Sequence, residues 1–260
     1  MGVTFDRDER PNVGHLRLDF DDLNRLTTER VATLESAVRD LPDDLSVLTV
    51  AGGDADDGVD PDAGLAAGLH VGEARDWSVD EMRTFLETLH DAVEAVRDLN
   101  AVTVAACGGY AIGAGLELAM GCDFRVATAE AALGLPEVDV GLPTVLHGAL
   151  LPLYVGYGTA AEMVFLGDPI PGTRAADEGL VHEAPPADEY RDAVTDLVDG
   201  LAEKSPTTLR HQKRVVKTWR SNGLEAAVHN VGAGLAAFAT PDRAEAMAAF
   251  VEDREPTWES

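Results

Sequence analysis

Cysteine is scarce in this 260-residue chain, which has two cysteines, Cys107 and Cys122. They form no CxxC pair, and both stand in apolar segments of the sequence. A disulfide framework or a zinc site needs more thiols at close, repeated spacings. We therefore expect two buried, reduced thiols and no bound metal.

Positive charge is also scarce, since 20 lysine and arginine residues stand against 47 acidic residues, which gives a formal net charge of −27. Such a charge disfavours nucleic acid and anionic membranes as partners. Disorder is a poor explanation, because the hydrophobic content of 45% is ordinary for a globular protein. The acidic residues, many of them in the loop 51–62, predict a heavily hydrated surface, as in the proteins of salt-accumulating cells.

A signal peptide is not recognisable at the N-terminus, which is acidic and polar and has no basic region or apolar core. We also expect no apolar run to approach the roughly 20 residues of a membrane span. Both expectations point to a cytoplasmic protein. The length suits one large domain, or a domain with an appendage, with a sizeable core.

Segments with strand and helix patterns alternate along the first two thirds of the chain. The predicted strands are Val13–Phe20, Leu45–Val50, Ala101–Ala106, Phe124–Ala127 and Leu180–Glu183, and the predicted helices include Thr27–Asp40 and Val79–Leu99. Ser78 and Glu81 form a capping-box pattern at the start of the second of these helices. Beyond residues 184–186 the pattern is helical, with breaks at Pro206 and Pro241. The order predicts an α/β fold followed by a helical region.

A glycine-rich turn leads into an apolar helix between Gly109 and Asp123, and this helix carries Glu117 among leucine, alanine and methionine. A carboxylate on an apolar helix face is costly to bury without a partner or a task. The N-terminus of the helix offers free N–H groups to an oxyanion. Glu137 follows twenty positions later, after Pro136. The pattern predicts an oxyanion site with two acid/base carboxylates, although Glu137 alone also fits an ordinary surface loop.

Several segments, in order, resemble the signatures of the crotonase superfamily, the enoyl-CoA hydratase/isomerase fold. They are residues 48–53, 66–70, 103–123, 134–143, 165–170, 176–181 and 240–250. The resemblance implies a spiral of β-β-α turns over residues 1–198 and a helical oligomerisation region over residues 199–260, which builds a trimer or a dimer of trimers. It also implies a coenzyme A thioester as substrate, with no separate cofactor.

The resemblance also implies roles for individual residues. The backbone N–H groups of Leu69 and Ala114 match the oxyanion hole, Gly113 is a candidate substrate contact, and Glu117 and Glu137 match the two carboxylates that hold water in the hydratases. Relatives that only shift a double bond usually keep one carboxylate, so the pair favours an enoyl-CoA hydratase. The alternatives are an isomerase, a ring-forming synthase, a thioester hydrolase or a non-catalytic binding protein.

Two histidines mark departures from the superfamily pattern. His70 stands where aspartate usually follows the first oxyanion residue. His147 lies in the segment 141–152, which is shorter than the usual turn after the second glutamate and has no paired glycines. Both histidines are candidate substrate contacts, and His147 is also a candidate acid/base group. The alternative for His147 is a hydrogen bond to backbone at a helix end.

Coenzyme A carries phosphate groups, so an acidic enzyme needs a local positive patch. Arg210, Lys213, Arg214 and Lys217 are spaced so that most of them share one side of a helix, and Arg220 continues the series. We expect these residues to face the phosphates, on the same or a neighbouring subunit. The alternative is a solvated helix face held by ion pairs.

Overall fold

The computed structural model describes residues 2–53, 59–229 and 231–258. The strands are Gly2–Arg7 (β1), Val13–Asp19 (β2), Val47–Gly52 (β3), Val102–Ala106 (β4), Tyr110–Ile112 (β5), Phe124–Val126 (β6), Ala132–Gly134 (β7) and Ile170–Pro171 (β8). The α-helices are Thr28–Arg39 (α1), Val71–Ala74 (α2), Val79–Asp98 (α3), Ala114–Gly121 (α4), Leu151–Leu166 (α5), Gly172–Asp177 (α6), Tyr190–Ala202 (α7), Pro206–Val228 (α8), Val231–Phe238 (α9) and Pro241–Glu252 (α10). Short 3-10 helices cover Glu137–Val140 and Leu146–Leu150.

The chain winds between two sheets. The larger sheet has the order β1-β2-β3-β4-β6, in which β1 is antiparallel to β2 and the other neighbours are parallel. The smaller sheet has the order β5-β7-β8. From β4 the chain crosses to β5, forms α4, and returns to the larger sheet at β6 before it crosses again to β7. This repeated β-β-α turn confirms the predicted fold class.

Both faces of the larger sheet are covered, which explains the nearly continuous apolar runs of its parallel strands. Leu48 and Val50 of β3 belong to the main core, together with apolar residues of α1 and α3. Val47 alternates to the opposite face, where Val194 and Val198 of α7 cover it. The period-2 alternation of β3 therefore sends its side chains into two separate cores.

The helix boundaries follow the capping signals in the sequence. The Ser78 hydroxyl accepts a hydrogen bond from the Glu81 N–H, and the Glu81 carboxylate accepts one from the Ser78 N–H, so the predicted capping box starts α3. Pro206 and Pro241 are the first residues of α8 and α10. Proline is tolerated there because the first helical N–H has no intrahelical partner.

The predicted division after residue 198 falls inside α7, which packs on the larger sheet as one unit. The Tyr190 hydroxyl in the first turn of this helix accepts a hydrogen bond of 2.7 Å from the Gly108 N–H. The helices α8, α9 and α10 come after α7 along the chain.

The predicted strand at Leu180–Glu183 is wrong. One parallel bridge, between Val126 and Glu183, joins this segment to β6. The N–H groups of Leu180 and Val181 donate instead to the Ala175 carbonyl and cap the end of α6. Pro185 and Pro186 follow closely and lack N–H groups for a ladder. Residues 54–58 of the predicted acidic loop lie outside the described residues.

The expectation that no apolar run is long enough to span a membrane is also wrong by length and composition. Residues Leu146–Leu166 form a helical stretch of 21 residues that contains an 18-residue window with a mean hydropathy of 1.4. The stretch begins as a 3-10 helix, and Gly156 at φ 73° and ψ 166° interrupts it. A regular spanning helix satisfies all of its backbone groups internally, and the non-helical conformation of Gly156 departs from that regular pattern.

Candidate active site

An apolar pocket with a cavity volume of ≈ 190 Å³ lies between α3, the start of α4 and the segment after β7. Met82, Phe85, Leu86 and Leu89 of α3 form one wall. The opposite side contains Gly68, Leu69, Ile112, Gly113, Ala114, Glu117, Pro136, Glu137, Val140, Leu142, Pro143, Val145 and Leu146. Its charged side chains, among the described lining residues, are the two glutamates. The pocket therefore suits an apolar group that needs two carboxyl groups at one end.

Glu117 lies in the first turn of α4 and is 4% exposed. Burial and the nearby charge of Glu137 raise the pKa of its carboxyl group to about 8, although the N–H groups of Gly148 and His147 oppose this rise. Its Oε2 atom is buried and has no hydrogen-bond partner among the described residues. A buried carboxyl group with an elevated pKa and a free acceptor atom is typical of a group that exchanges protons with a ligand.

Glu137 begins the 3-10 helix that follows Pro136, and its side chain is half-buried at the edge of the pocket. The Thr144 hydroxyl donates a hydrogen bond of 3.0 Å to its Oε2 atom. Gly113 leaves room for its other oxygen, since a Cβ atom at position 113 would lie 3.2 Å from Glu137 Oε1. The structure thus brings Glu117, Glu137 and Gly113 together in one pocket.

The two residues predicted to supply the oxyanion donors, Leu69 and Ala114, line the same pocket. Ala114 is the first residue of α4, after Gly113 at φ 56°, so its N–H has no acceptor within the helix. Gly68 packs closely against the start of α4, because a Cβ atom at position 68 would lie 2.7 Å from the Ile112 carbonyl oxygen and 3.3 Å from the Ala114 nitrogen. Leu69 follows Gly68 and lines the same pocket. Hydrogen bonds among the described residues leave the N–H groups of Leu69 and Ala114 without acceptors.

The two candidate histidines are absent from the described lining of the pocket. His70 caps α2, and its Nδ1 atom accepts a hydrogen bond of 3.2 Å from the Glu73 N–H. The His147 side chain points away from the pocket, with its Nε2 atom 2.6 Å from Glu94 Oε1. The backbone of His147, in contrast, faces the Glu117 carboxyl group. Sequence reasoning therefore identified the segment around His147 and missed Thr144 and Glu94.

The basic residues of α8 are largely engaged within the chain. Lys213 has a side chain that is 1% exposed and forms a buried ion pair with Asp123. Arg210 donates to the Asp44 carbonyl oxygen, and Lys217 pairs with Asp98. The structure thus assigns Lys213 to an ion pair in the interior instead of a surface patch. Arg214 and Arg220 are the exposed residues of the predicted series, and Arg220 also lies 3.1 Å from Asp123.

The chain matches a known family over most of its length. Residues 12–260 match the family model described as enoyl-CoA hydratase/isomerase. A human protein named enoyl-CoA hydratase domain-containing protein 2, mitochondrial, is 33% identical over 201 residues, which are 74% of this chain and 68% of that protein. A crotonyl-CoA hydratase of Syntrophomonas wolfei is 28% identical over 238 residues, which are 89% of this chain and 88% of that protein.

Solved structures agree with this assignment. The crystal structure of an enoyl-CoA hydratase from Mycobacterium smegmatis aligns with a TM-score of 0.89 at 25% identity and covers 99% of each chain. A structure of Pseudomonas aeruginosa DspI aligns with a TM-score of 0.88 at 27% identity and covers 99% of this chain and 96% of that one. With the family model, the relatives and the two-carboxyl pocket all in agreement, the chain belongs to the enoyl-CoA hydratase/isomerase family.

Proposed function

We propose that this chain is an enoyl-CoA hydratase, which adds water across the 2,3 double bond of a 2-enoyl-CoA thioester. The observation that carries the proposal is the presence of two carboxyl groups, Glu117 and Glu137, in one apolar pocket beside two free N–H groups. Hydration needs one group to take a proton from water and another to deliver a proton to carbon. A double-bond shift, in contrast, is served by a single carboxyl group that moves one proton.

The N–H groups of Leu69 and Ala114 supply the electrostatic part of the reaction. When a hydroxyl group adds at Cβ of the enoyl thioester, negative charge develops on the thioester oxygen. Two fixed donors in an apolar pocket stabilise that charge, which is largest in the transition state and the enolate. The proton that arrives at Cα then completes the addition and restores the thioester carbonyl.

The environments of the two carboxyl groups support opposite proton transfers. A pKa of about 8 keeps Glu117 mostly protonated at neutral pH, and the negative charge of Glu137 contributes to this value. Glu117 is then a proton donor, and we assign to Glu137 the role of accepting the proton of the water. Water loses one proton to the acceptor, and Cα receives one from the donor, so the pair returns with its proton exchanged between the two groups.

The lining of the pocket favours a hydrocarbon acyl group. Apart from the two glutamates, the described side chains around the cavity are apolar, including Met82, Phe85 and Leu146. An acyl chain with a terminal carboxylate would place a second charge among these residues without a partner, at a high desolvation cost. We expect such substrates to be poor ones.

The experiment is a spectrophotometric assay that follows loss of the conjugated enoyl-thioester absorbance with crotonyl-CoA in multimolar KCl. Wild type is compared with Glu117→Gln and Glu137→Gln, and with Glu130→Gln as an exposed control. Turnover that collapses in both site variants and persists in the control supports a hydratase with two carboxyl groups. A folded wild type that binds the thioester and leaves it unchanged contradicts the proposal and favours another reaction of the same fold.

We also propose that the chain assembles into a trimer or a dimer of trimers. Large apolar side chains are exposed on α5, at Leu153, Tyr157 and Phe165, and on α10, at Phe250 and Val251. Large apolar side chains that remain exposed on two helices support contacts with other copies of the chain. Light scattering at several protein concentrations measures the assembly, and a monomer throughout would contradict it.

A salt-rich cytoplasm is the cellular setting that we propose for the protein. The net charge of −27 supports this proposal, because dense carboxylates repel one another in dilute buffer and are screened at high ionic strength. Thermal unfolding in 0.1 M and 3 M KCl tests it: the midpoint should rise strongly with KCl. A midpoint that is the same at both concentrations would argue against a halophilic protein.

A further inference from the structure

Residues 144–148, here called the 144–148 turn, contact both carboxyl groups of the site. The Thr144 hydroxyl donates to Glu137. The backbone N–H groups of His147 and Gly148 lower the pKa of Glu117, and the Gly148 N–H also donates a hydrogen bond of 3.0 Å to the Val145 carbonyl oxygen. Gly148 is packed so closely that a Cβ atom there would collide with the Thr144 methyl group and lie 3.2 Å from Glu117 Oε1. Displacement of this one turn would therefore disturb the donors to both carboxyl groups.

The backbone of the 144–148 turn is held in an unfavourable conformation. Leu146 has φ 49°, in the left-handed region that a bulky residue without glycine's freedom rarely adopts. Such a conformation persists only where the surrounding structure fixes it. The Leu146 side chain lines the pocket and packs against the main core, which supplies part of the restraint.

A further restraint comes from α3. The imidazole of His147 is 6% exposed, and its Nε2–H donates to Glu94 Oε1 at 2.6 Å. Glu94 is itself held by Arg97, whose Nε atom lies 3.2 Å from the same oxygen. The His90 ring packs 5.5 Å from the His147 ring. The hydrogen bond thus ties the middle of the turn to a long helix that also forms one wall of the pocket.

We propose that His147 and Glu94 are a positioning pair, which fixes the 144–148 turn so that its donors hold Glu117 and Glu137 in reacting geometry. Neither side chain is among the described lining residues of the pocket, so neither is a catalytic residue. The consequence for turnover rests on the proposed hydratase function. The consequence for the ionisation of Glu117 does not, because it follows from displacement of the backbone N–H groups that lower the pKa of its carboxyl group.

The state of the imidazole fits a structural tie. Burial lowers the pKa of His147, against the raising effect of Glu94, while Arg97 and His90 act in the same direction as burial. Its Nδ1 atom is buried and has no hydrogen-bond partner among the described residues, so a second ring proton would have no acceptor. The ring therefore remains neutral, with its one proton directed at Glu94.

The test compares Glu94→Ala, which removes the acceptor, with Glu94→Gln, which keeps an amide oxygen at the same reach. Glu87→Ala, an exposed site on the same helix, controls for the loss of one charge. We expect Glu94→Ala to lower kcat with crotonyl-CoA roughly 10- to 100-fold with little change in KM, as misplacement of reacting groups does. Glu94→Gln and Glu87→Ala should stay within about threefold of wild type.

A second readout needs no turnover. Infrared titration of the protonated carboxyl C=O band, assigned with Glu117→Gln, reports the pKa of Glu117 in each folded variant. Loss of the N–H donors in Glu94→Ala should raise this pKa, because those donors stabilise the charged form. Should Glu94→Ala fail to fold, Glu94→Asp, which withdraws the carboxylate by one methylene, takes its place with the same expectations.

The outcomes separate the two proposals. A raised pKa of Glu117 with a lowered kcat supports the positioning pair. A raised pKa in a protein whose wild type does not hydrate crotonyl-CoA supports the pair and contradicts the proposed function. An unchanged pKa of Glu117 in Glu94→Ala overturns the positioning pair, whether or not kcat falls.

Discussion

Replacement of Glu117 by glutamine should make the folded protein less sensitive to alkaline pH. The pKa of Glu117 is about 8 in the folded chain, against an ordinary value of 4.5. Between these two values the unfolded chain has released a proton that the folded chain retains, so the unfolding free energy of wild type falls as pH rises. The contribution of this carboxyl group to the unfolding free energy is thus greatest below pH 4.5 and is lost progressively up to pH 8.

The size of this effect follows from the separation of the two pKa values. A separation of about 3.5 pH units, at about 1.4 kcal/mol per unit, corresponds to roughly 5 kcal/mol above pH 8. Glutamine has nearly the same shape and does not titrate. The Glu117→Gln substitution changes the unfolding free energy by a part that does not depend on pH. On top of this, the unfolding free energy of the variant should rise relative to that of wild type by about 3 kcal/mol between pH 6 and pH 9.

Urea unfolding at a series of pH values measures this difference, at one salt and one protein concentration because assembly shifts apparent stability. Glu130→Gln, an exposed control, should show the pH profile of wild type. A Glu117→Gln difference that varies by less than about 1 kcal/mol from pH 6 to pH 9 would refute the burial of a costly charge at this position.

Two further substitutions test the oxyanion site and the attachment of α8. Ala114→Pro removes one N–H donor at a helix position where proline is tolerated, and should lower kcat/KM for crotonyl-CoA roughly 10²- to 10³-fold with the thermal midpoint nearly preserved. Ala114→Gly keeps the N–H and should remain active; equal activity of the proline variant would exclude Ala114 as a donor. Lys213→Met leaves Asp123 buried with less compensation and should reduce the unfolding free energy by about 3–5 kcal/mol in urea titrations. Lys213→Met combined with Asp123→Asn should recover part of the loss, and a single variant as stable as wild type would contradict a buried pair.

Local features of this chain could be predicted from the sequence because their signals lie within a few positions of one another. Ser78 and Glu81 are three residues apart, and their side chains satisfy each other's backbone N–H groups. Glu117 was recognisable as a buried carboxyl group because every neighbour on its helix is apolar or small. The α/β class likewise follows from the alternation of strand and helix patterns, whereas the spiral of β-β-α turns was implied by the resemblance to the crotonase superfamily.

Features that depend on distant parts of the chain could not be predicted in this way. Glu94 and His147 are 53 positions apart, and Lys213 and Asp123 are 90 positions apart. The helical spacing of the basic residues on α8 shows that they share a side, and says nothing about what packs there. The same limit explains why the predicted phosphate patch contained a lysine, Lys213, that the fold buries in an ion pair with Asp123.

The chemical difference between two identical side chains has its origin in the elements that carry them. Glu117 lies inside the first turn of an apolar helix, where burial outweighs the two backbone donors and raises its pKa. Glu137 lies at the start of a 3-10 helix at the edge of the pocket, half-exposed and bonded to the Thr144 hydroxyl. The difference belongs to the two positions and not to the residue type, because it is built from burial and backbone direction. A pair of glutamates can therefore serve as donor and acceptor only because the fold places them on unlike elements twenty residues apart.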